Sequence, residues 1–150
     1  MTMQTFAVLF TGVALGAKYG FIALSFYILE GALGLPVFSG TPAKGIGIAY
    51  IFGPTEGYII GFAFSALLAG MFFSKKNYFI INNKNLLITF LKLIISLIPT
   101  YFIGLIWLGT IIGWNKPILE LGFYPFLLGE VFKVLLLAIL LHKFSRFRFF

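Results

Sequence analysis

One hundred and fifty residues, 61% of them hydrophobic and only 10% charged, do not suit a water-soluble globule, in which about a quarter of the side chains carry charge. This excludes a cytosolic enzyme, a disordered tail and an ordinary nucleic-acid binder, although 11 Lys and Arg against 4 Asp and Glu give a net charge of +7. The absence of cysteine excludes disulfide frameworks and thiolate metal sites.

Five apolar runs follow one another along the chain. Residues 4–17 and 57–73 carry no charge, residues 19–35 carry only Glu30, residues 86–112 only Lys92, and residues 124–141 only Glu130 and Lys133. A bilayer core needs about 20 helical residues, fewer where protein covers part of the segment. Backbone groups in hydrocarbon must bond within their own segment, so each run is expected to be a helix. The runs lack period-two alternation and are too long for strands, which argues against a β-barrel. At about 1.5 Å per residue the fourth run would be near 40 Å long, so it should tilt or bend, with Pro99 the place for it. Met1–Phe6 has no basic residue ahead of the apolar stretch and makes a poor cleavable leader. The expectation is an all-α integral membrane domain over 1–150, a bundle of five transmembrane helices.

With five crossings, Lys18, Lys75, Lys76, Lys84, Lys143, Arg146 and Arg148 fall on one side, with no acid among them. The other side carries Lys44, Glu56, Lys116 and Glu120 in two loops, 36–56 and 113–123. By the positive-inside rule the first side, with the C-terminus, is cytoplasmic. The net charge is then topology and attraction to anionic headgroups, and no nucleic-acid partner is needed.

The 36–56 loop is long and rich in Gly and Pro, and it is either a connector or a binding lid. Its apolar residues (Val37, Phe38, Ile46, Ile48, Tyr50, Ile51, Phe52) favour a loop folded back on the helices. Lys44-Gly45-Ile46-Gly47 lacks the spacing and hydroxyl of a phosphate loop. Gly57, Gly61, Ser65 and Ala69 recur every four residues on the third run, as do Gly12 and Gly16 on the first, a spacing that lets helices approach closely in lipid.

Glu130 and Lys133, three residues apart, share a helix face and can pair, which lowers the cost of holding charge among apolar neighbours. They lie about 9 and 14 Å below the outer end of their helix, too deep to snorkel easily. A structural ion pair and a ligand-contacting pair are both open, and the second is favoured because intramembrane ionisable groups mark function. A carboxylate accepts from ligand N–H groups and an ammonium donates to a carbonyl or carboxylate, so the pair suits a neutral polar group offering both. Glu30 could face the same cavity or reach the interface. Lys92 is expected to snorkel, and His142 to sit at the interface beside the basic tail. Four acids, one His and no Cys leave no nucleophile or metal cluster for an intramembrane enzyme, and no cofactor is expected.

Gln4-Thr5-Phe6 before a Gly-containing run, Gly31-Ala32-Leu33-Gly34-Leu35-Pro36-Val37-Phe38, Gly53-Pro54-Thr55-Glu56-Gly57-Tyr58 with Gly61-Phe62, and Pro125-Phe126-Leu127-Leu128-Gly129-Glu130 with Lys133 resemble the BioY family. These are the biotin-binding substrate subunits, or S components, of energy-coupling-factor (ECF) transporters. The resemblance runs in order over nearly the whole chain. It implies a six-helix membrane bundle that takes biotin from outside and releases it inside by toppling, docked on a transmembrane coupling protein driven by two ATPases. It further implies that Glu130 and Lys133 meet the ureido ring, and that Gln4, Thr5, the Ser39–Gly47 loop and the region of Tyr58 complete the pocket. Two features depart from the family pattern. The acidic position is more often Asp, and family members carry a helix, with small residues for docking, ahead of the Gln-Thr-Phe segment where this chain starts.

Three functions fit the sequence: a biotin uptake subunit, a substrate subunit for another vitamin or small solute, or a membrane scaffold protein whose charged pair only fixes helix register.

Overall fold

The computed structural model describes residues 2–39, 43, 45–73 and 85–143, and among these the regular structure is entirely helical. The helices are α1 (Gln4–Ala32), α2 (Ile48–Ile51), α3 (Glu56–Phe72), α4 (Leu86–Ser96), α5 (Ile98–Ile112), α6 (Ile118–Gly122) and α7 (Tyr124–Lys143).

The 29 residues of α1 are two antiparallel arms. Gly16 leaves helical geometry at φ 81°, ψ 173°, and the Gln4 amide donates to the Tyr27 hydroxyl at 3.1 Å. In one straight helix those 23 positions would span about 35 Å. The arms 4–15 and 17–32 correspond to the first two expected runs, with Lys18 at the reversal. Gly16 itself is not a packing residue, as its spacing from Gly12 suggests. A Cβ there would meet nothing within 4 Å; what the position requires is a positive φ, which only glycine adopts without strain. Gly12 does pack: a methyl at Gly20 would lie 2.9 Å from its Cα, and one at Gly12 would overlap the Ala66 backbone of α3.

Helix α3 runs between this hairpin and α5, and its small residues divide between the two neighbours. Gly57 meets the Trp107 side chain, Gly61 the backbone of Pro99 and Thr100, and Ser65 shares a 2.7 Å hydrogen bond with Thr100. On the opposite side Ala66 faces Gly12, and Gly70 receives the hairpin reversal at Gly16 and Ala17. The Gly57-Gly61-Ser65-Ala69 spacing is thus a contact surface, as small-residue faces are in lipid. Two buried clusters result, one around Val8, Leu24, Phe38, Tyr50 and Phe62 at the Gln4 end, the other around Leu9, Leu93, Leu97, Val134 and Leu137 towards the far end.

The fourth run breaks at Leu97, between α4 and α5, with Pro99 in the first turn of α5. Proline lacks the N–H that would bond Ile95 and its ring crowds that carbonyl, so the bend falls at the expected place. The 36–56 loop folds back on the bundle through Phe38 and Tyr50, which are 3% and 4% exposed, whereas Ile46 and Phe52 face outwards. Residues 40–42 and 44 of this loop, together with Lys75, Lys76, Lys84, Arg146 and Arg148, lie outside the described residues.

Lys18 and Lys143 share one end of the bundle, while Glu30, Glu56, Lys116 and Glu120 lie towards the other. Between them the outer faces carry exposed Phe10, Phe26, Phe102, Leu128 and Phe132, a surface that suits acyl chains and not water.

Two glycines should fail for different reasons. At Gly61 an added methyl would lie 2.5 Å from Thr100 Cα, and overpacking of this kind costs about 1–3 kcal/mol. At Gly16 the penalty is conformational, about 1–2 kcal/mol. Gly61→Ala and Gly16→Ala should each lower the thermal unfolding temperature in detergent, and together they should add because the sites are remote. An unchanged transition would contradict the close helix approach at Gly61 or, for the other variant, the positive-φ reversal at Gly16.

Candidate functional site

The inward face of α7 presents Glu130, Lys133, Val134, Leu137 and Ala138, a helical stripe at i, i+3, i+4, i+7 and i+8. Its apolar members pack into the deeper cluster, and its two charged members meet the first turn of α1. Glu130 and Lys133 are 7% and 8% exposed, and their charged atoms lie 2.5 Å apart. The Lys133 ammonium also donates to the Thr5 hydroxyl at 2.7 Å and to the Thr2 carbonyl at 3.1 Å. The Thr5 hydroxyl in turn donates to the same Glu130 oxygen at 3.0 Å.

The bookkeeping of this cluster is asymmetric. All three ammonium protons have acceptors, and Glu130 Oε1 receives two bonds. Glu130 Oε2, buried to the same depth, has no partner among the described residues. Such an oxygen bears the cost of desolvation without a compensating bond. The pair therefore offers one free, charged acceptor in a dry setting, suited to an N–H donor.

An aromatic wall stands beside it. The Tyr101 phenol of α5 lies within reach of the Glu130 charge, and its ring meets Tyr58 edge-on at 6.0 Å and Phe123 at 5.2 Å. The Tyr58 hydroxyl donates to the Gly122 carbonyl at 2.9 Å, which fixes the ring against α6. Tyr58 is thus joined to the charged pair through Tyr101.

Gln4 and Ser39 belong to a second group, closer to the 36–56 loop. Gln4 bonds Tyr27, whose hydroxyl donates to the Val37 carbonyl at 3.3 Å. Tyr27 meets Phe38 edge-on, Phe38 stacks on Tyr50, and the Tyr50 hydroxyl donates to the Ser39 carbonyl at 2.9 Å. Gln4, Ala7, Thr11, Tyr27, Val37 and Phe62 are among the residues lining a cavity of about 380 Å³ between the hairpin arms and α3. A larger apolar groove between α3 and the α4–α5 bend holds no charged residue. Neither space reaches Glu130 or Lys133, over which Thr2 and Thr5 are closed.

Of the six residues expected from the sequence, Thr5, Glu130 and Lys133 form one cluster, Tyr58 flanks it, and Gln4 and Ser39 stand in the neighbouring network. Tyr101 and Tyr27 were not expected, and no local spacing distinguishes them among 7 Tyr and 20 Phe. Glu56, read from the sequence as a loop charge, is instead 1% exposed in the first turn of α3. Glu30 is exposed at the end of the second arm and does not line the cavity beside Gln4, and His142 is exposed in the last turn of α7.

The cluster can be dissected by stability. Thr5→Val keeps the shape but removes the bridging hydroxyl, for an expected loss of about 1–2 kcal/mol. Lys133→Met strands Glu130 without its cation, a change that costs about 3–5 kcal/mol at a buried site. The double variant E130Q/K133M should recover most of that loss, because no charge is then left unpaired. Thermal unfolding of the three proteins in detergent checks the order, and a double variant less stable than Lys133→Met would refute the pairing.

Comparison with known proteins agrees with this architecture. A sequence profile of the BioY family matches residues 1–149. The chain is 38% identical over 133 residues to the probable biotin transporter BioY of Pyrococcus horikoshii, covering 89% of this chain and 72% of that protein. It is 32% identical over 140 residues to the biotin transporter BioY of Thermotoga maritima, covering 93% and 76%. Its fold is similar to the crystal structure of the S-component for biotin from an ECF-type ABC transporter, with a TM-score of 0.80 and 27% identity, over 98% of this chain and 76% of that one. The chain belongs to the BioY family.

Proposed function

We propose that this protein is the substrate-binding subunit of an ATP-driven ECF transporter, taking up biotin across the cytoplasmic membrane from the extracellular side. It is a multi-pass membrane transport protein and not an enzyme, in keeping with its family. The observation that carries the biotin reading is the Thr5–Glu130–Lys133 cluster with its free carboxylate oxygen. A cyclic urea offers two N–H donors and one carbonyl acceptor on a single rigid edge. Glu130 Oε2 is the acceptor such an edge needs, and the Lys133 ammonium can exchange its longest bond, to the Thr2 carbonyl, for the urea oxygen.

The direction of uptake rests on charge. Lys18 and Lys143 mark the end of the bundle remote from Glu130, and Lys75, Lys76, Lys84, Arg146 and Arg148 belong by sequence to the loop and tail on that side, so that end is taken as cytoplasmic, together with the C-terminus. The charged pair then lies in the outer half of the bundle, covered by Thr2 and Thr5. A transmembrane coupling protein and two ATPase subunits are the partners this function requires, since the cluster binds but has no means of spending ATP.

Isothermal titration of the full chain in lipid nanodiscs with biotin tests the reading. Binding should be saturable with one site, and E130Q and K133M should each weaken it at least about a hundredfold, the usual penalty for breaking a buried, charged hydrogen-bonding pair at a binding site. Unchanged affinity in both variants would remove biotin recognition by this pair.

A further inference from the structure

A groove of about 440 Å³ lies between α3 and the α4–α5 bend, where the break at Leu97 interrupts the fourth run. Phe64 and Leu68 of α3 line one side, Ile95, Ile98, Pro99 and Phe102 the other, and its walls are wholly apolar. From Ile95 to Phe102 it extends about 10 Å along the bundle. Walls of this kind in hydrocarbon hold no water, and left empty they forfeit dispersion contacts. The occupant is therefore an acyl chain or another helix. Helices that pack in lipid meet through small residues, as α3 does with its own neighbours, whereas Phe64, Ile95, Ile98 and Phe102 at this rim are all large and exposed. A slender chain passes between such side chains, and a helix about 10 Å across does not.

One turn from this groove stands a cation that the bundle leaves unpaired. Lys92 is the sole charged residue of the run 86–112. It is half-buried, and its ammonium has no hydrogen-bond or ion-pair partner among the described residues. At i, i+3 it is a surface neighbour of Ile95, which lines the groove. Charged groups within membrane helices are paired or serve a function. Helix α4 begins at Leu86, which packs with Phe73 and Leu141 towards the Lys18 and Lys143 end, about 9 Å from Lys92. Side chains tilt towards the N-terminus of their own helix, so the Lys92 stem leads from the groove towards the headgroup layer at that end.

We infer that the groove and Lys92 together bind one phospholipid of net negative charge, with an acyl chain between α3 and the bend and the phosphate against the Lys92 ammonium. The apolar channel lies deeper in the membrane and the cation nearer its surface, the order in which a lipid presents chain and headgroup. A zwitterionic lipid fills the groove equally well but brings its own cation, which weakens its attraction to Lys92. The groove thus supplies retention and the lysine supplies the headgroup preference. Neither touches the Thr5–Glu130–Lys133 cluster, so the inference does not depend on which ligand that cluster holds.

Native mass spectrometry of the full chain in detergent, titrated with dioleoyl phosphatidylglycerol or dioleoyl phosphatidylcholine, decides the matter. The unmodified protein should retain one lipid, and should take up the anionic one about fivefold more tightly than the zwitterionic one. K92M should bring the two within about twofold of each other, through weaker binding of the anionic lipid. K18M, at the same end of the bundle, should leave the preference as it was. L68W, which fills the groove, should weaken both lipids alike. Equal retention of the two lipids by the unmodified protein would overturn the inference, and that comparison stands even if a variant does not fold. A preference that K92M leaves intact, or that K18M abolishes as fully, would mark diffuse attraction to the basic end and overturn it too. Undiminished retention by L68W would remove the acyl chain from the groove, and a dimer of the chain in place of a lipid adduct would give the groove to a second copy.

Discussion

A lysine and a glutamate held together inside a lipid-bathed bundle constrain everything around them. Neither charge can be left alone in such surroundings, so α7 must turn this face inward and the first turn of α1 must come to meet it. Thr5 is the piece that makes the meeting specific, because its hydroxyl accepts from the ammonium and donates to the carboxylate at once. A nonpolar residue there would fill the space and satisfy neither. The pair consequently sets the rotation of α7, the register of α1, and the position of the one oxygen left open.

That arrangement depends on how closely the helices approach. With little hydrophobic drive between apolar rods in lipid, contact area and hydrogen bonds must do the joining. Helix α3 is adapted to this on two sides. Gly57, Gly61 and Ser65 admit α5, and Ala66 and Gly70 admit the hairpin. Bringing α5 in also carries Tyr101 to Glu130 and sets Tyr58 against Gly104, so the glycine spacing and the aromatic wall have one origin.

Much of this was legible in the sequence, and the limits of legibility are physical. The five runs, the bend near Pro99, and the shared face of Glu130 and Lys133 follow from lengths and from the 3.6-residue period, both internal to a segment. What lies opposite a given face is not internal. In water an apolar stripe reveals which side of a helix is covered, but these helices are apolar all round, and the signal is missing. Tyr101 opposite Glu130 and Tyr27 opposite Gln4 are therefore invisible to periodicity. Thr5 was reached through family resemblance and not through any pattern of its own. Glu56 was misread for a related reason: a charge next to Gly-Pro-Thr looks like a loop residue until the fold covers it. Gly16 was assigned to packing because spacing cannot separate a small residue that permits contact from one that permits a positive φ.

The hairpin has a mechanical meaning as well. Its reversal is seated on Gly70, and Thr5 stands on the opposite end of the first arm, about 16 Å away along the axis. The arm is a lever with its fulcrum at one end of the bundle and its tip in the Thr5–Glu130–Lys133 cluster towards the other. Rocking it by about 7° carries the tip about 2 Å, enough to part the Thr5 hydroxyl from both charged partners. A small turn of the arm about its seat on Gly70 therefore moves the Thr5 end most, and the contacts to Glu130 and Lys133 are the first that such a turn breaks.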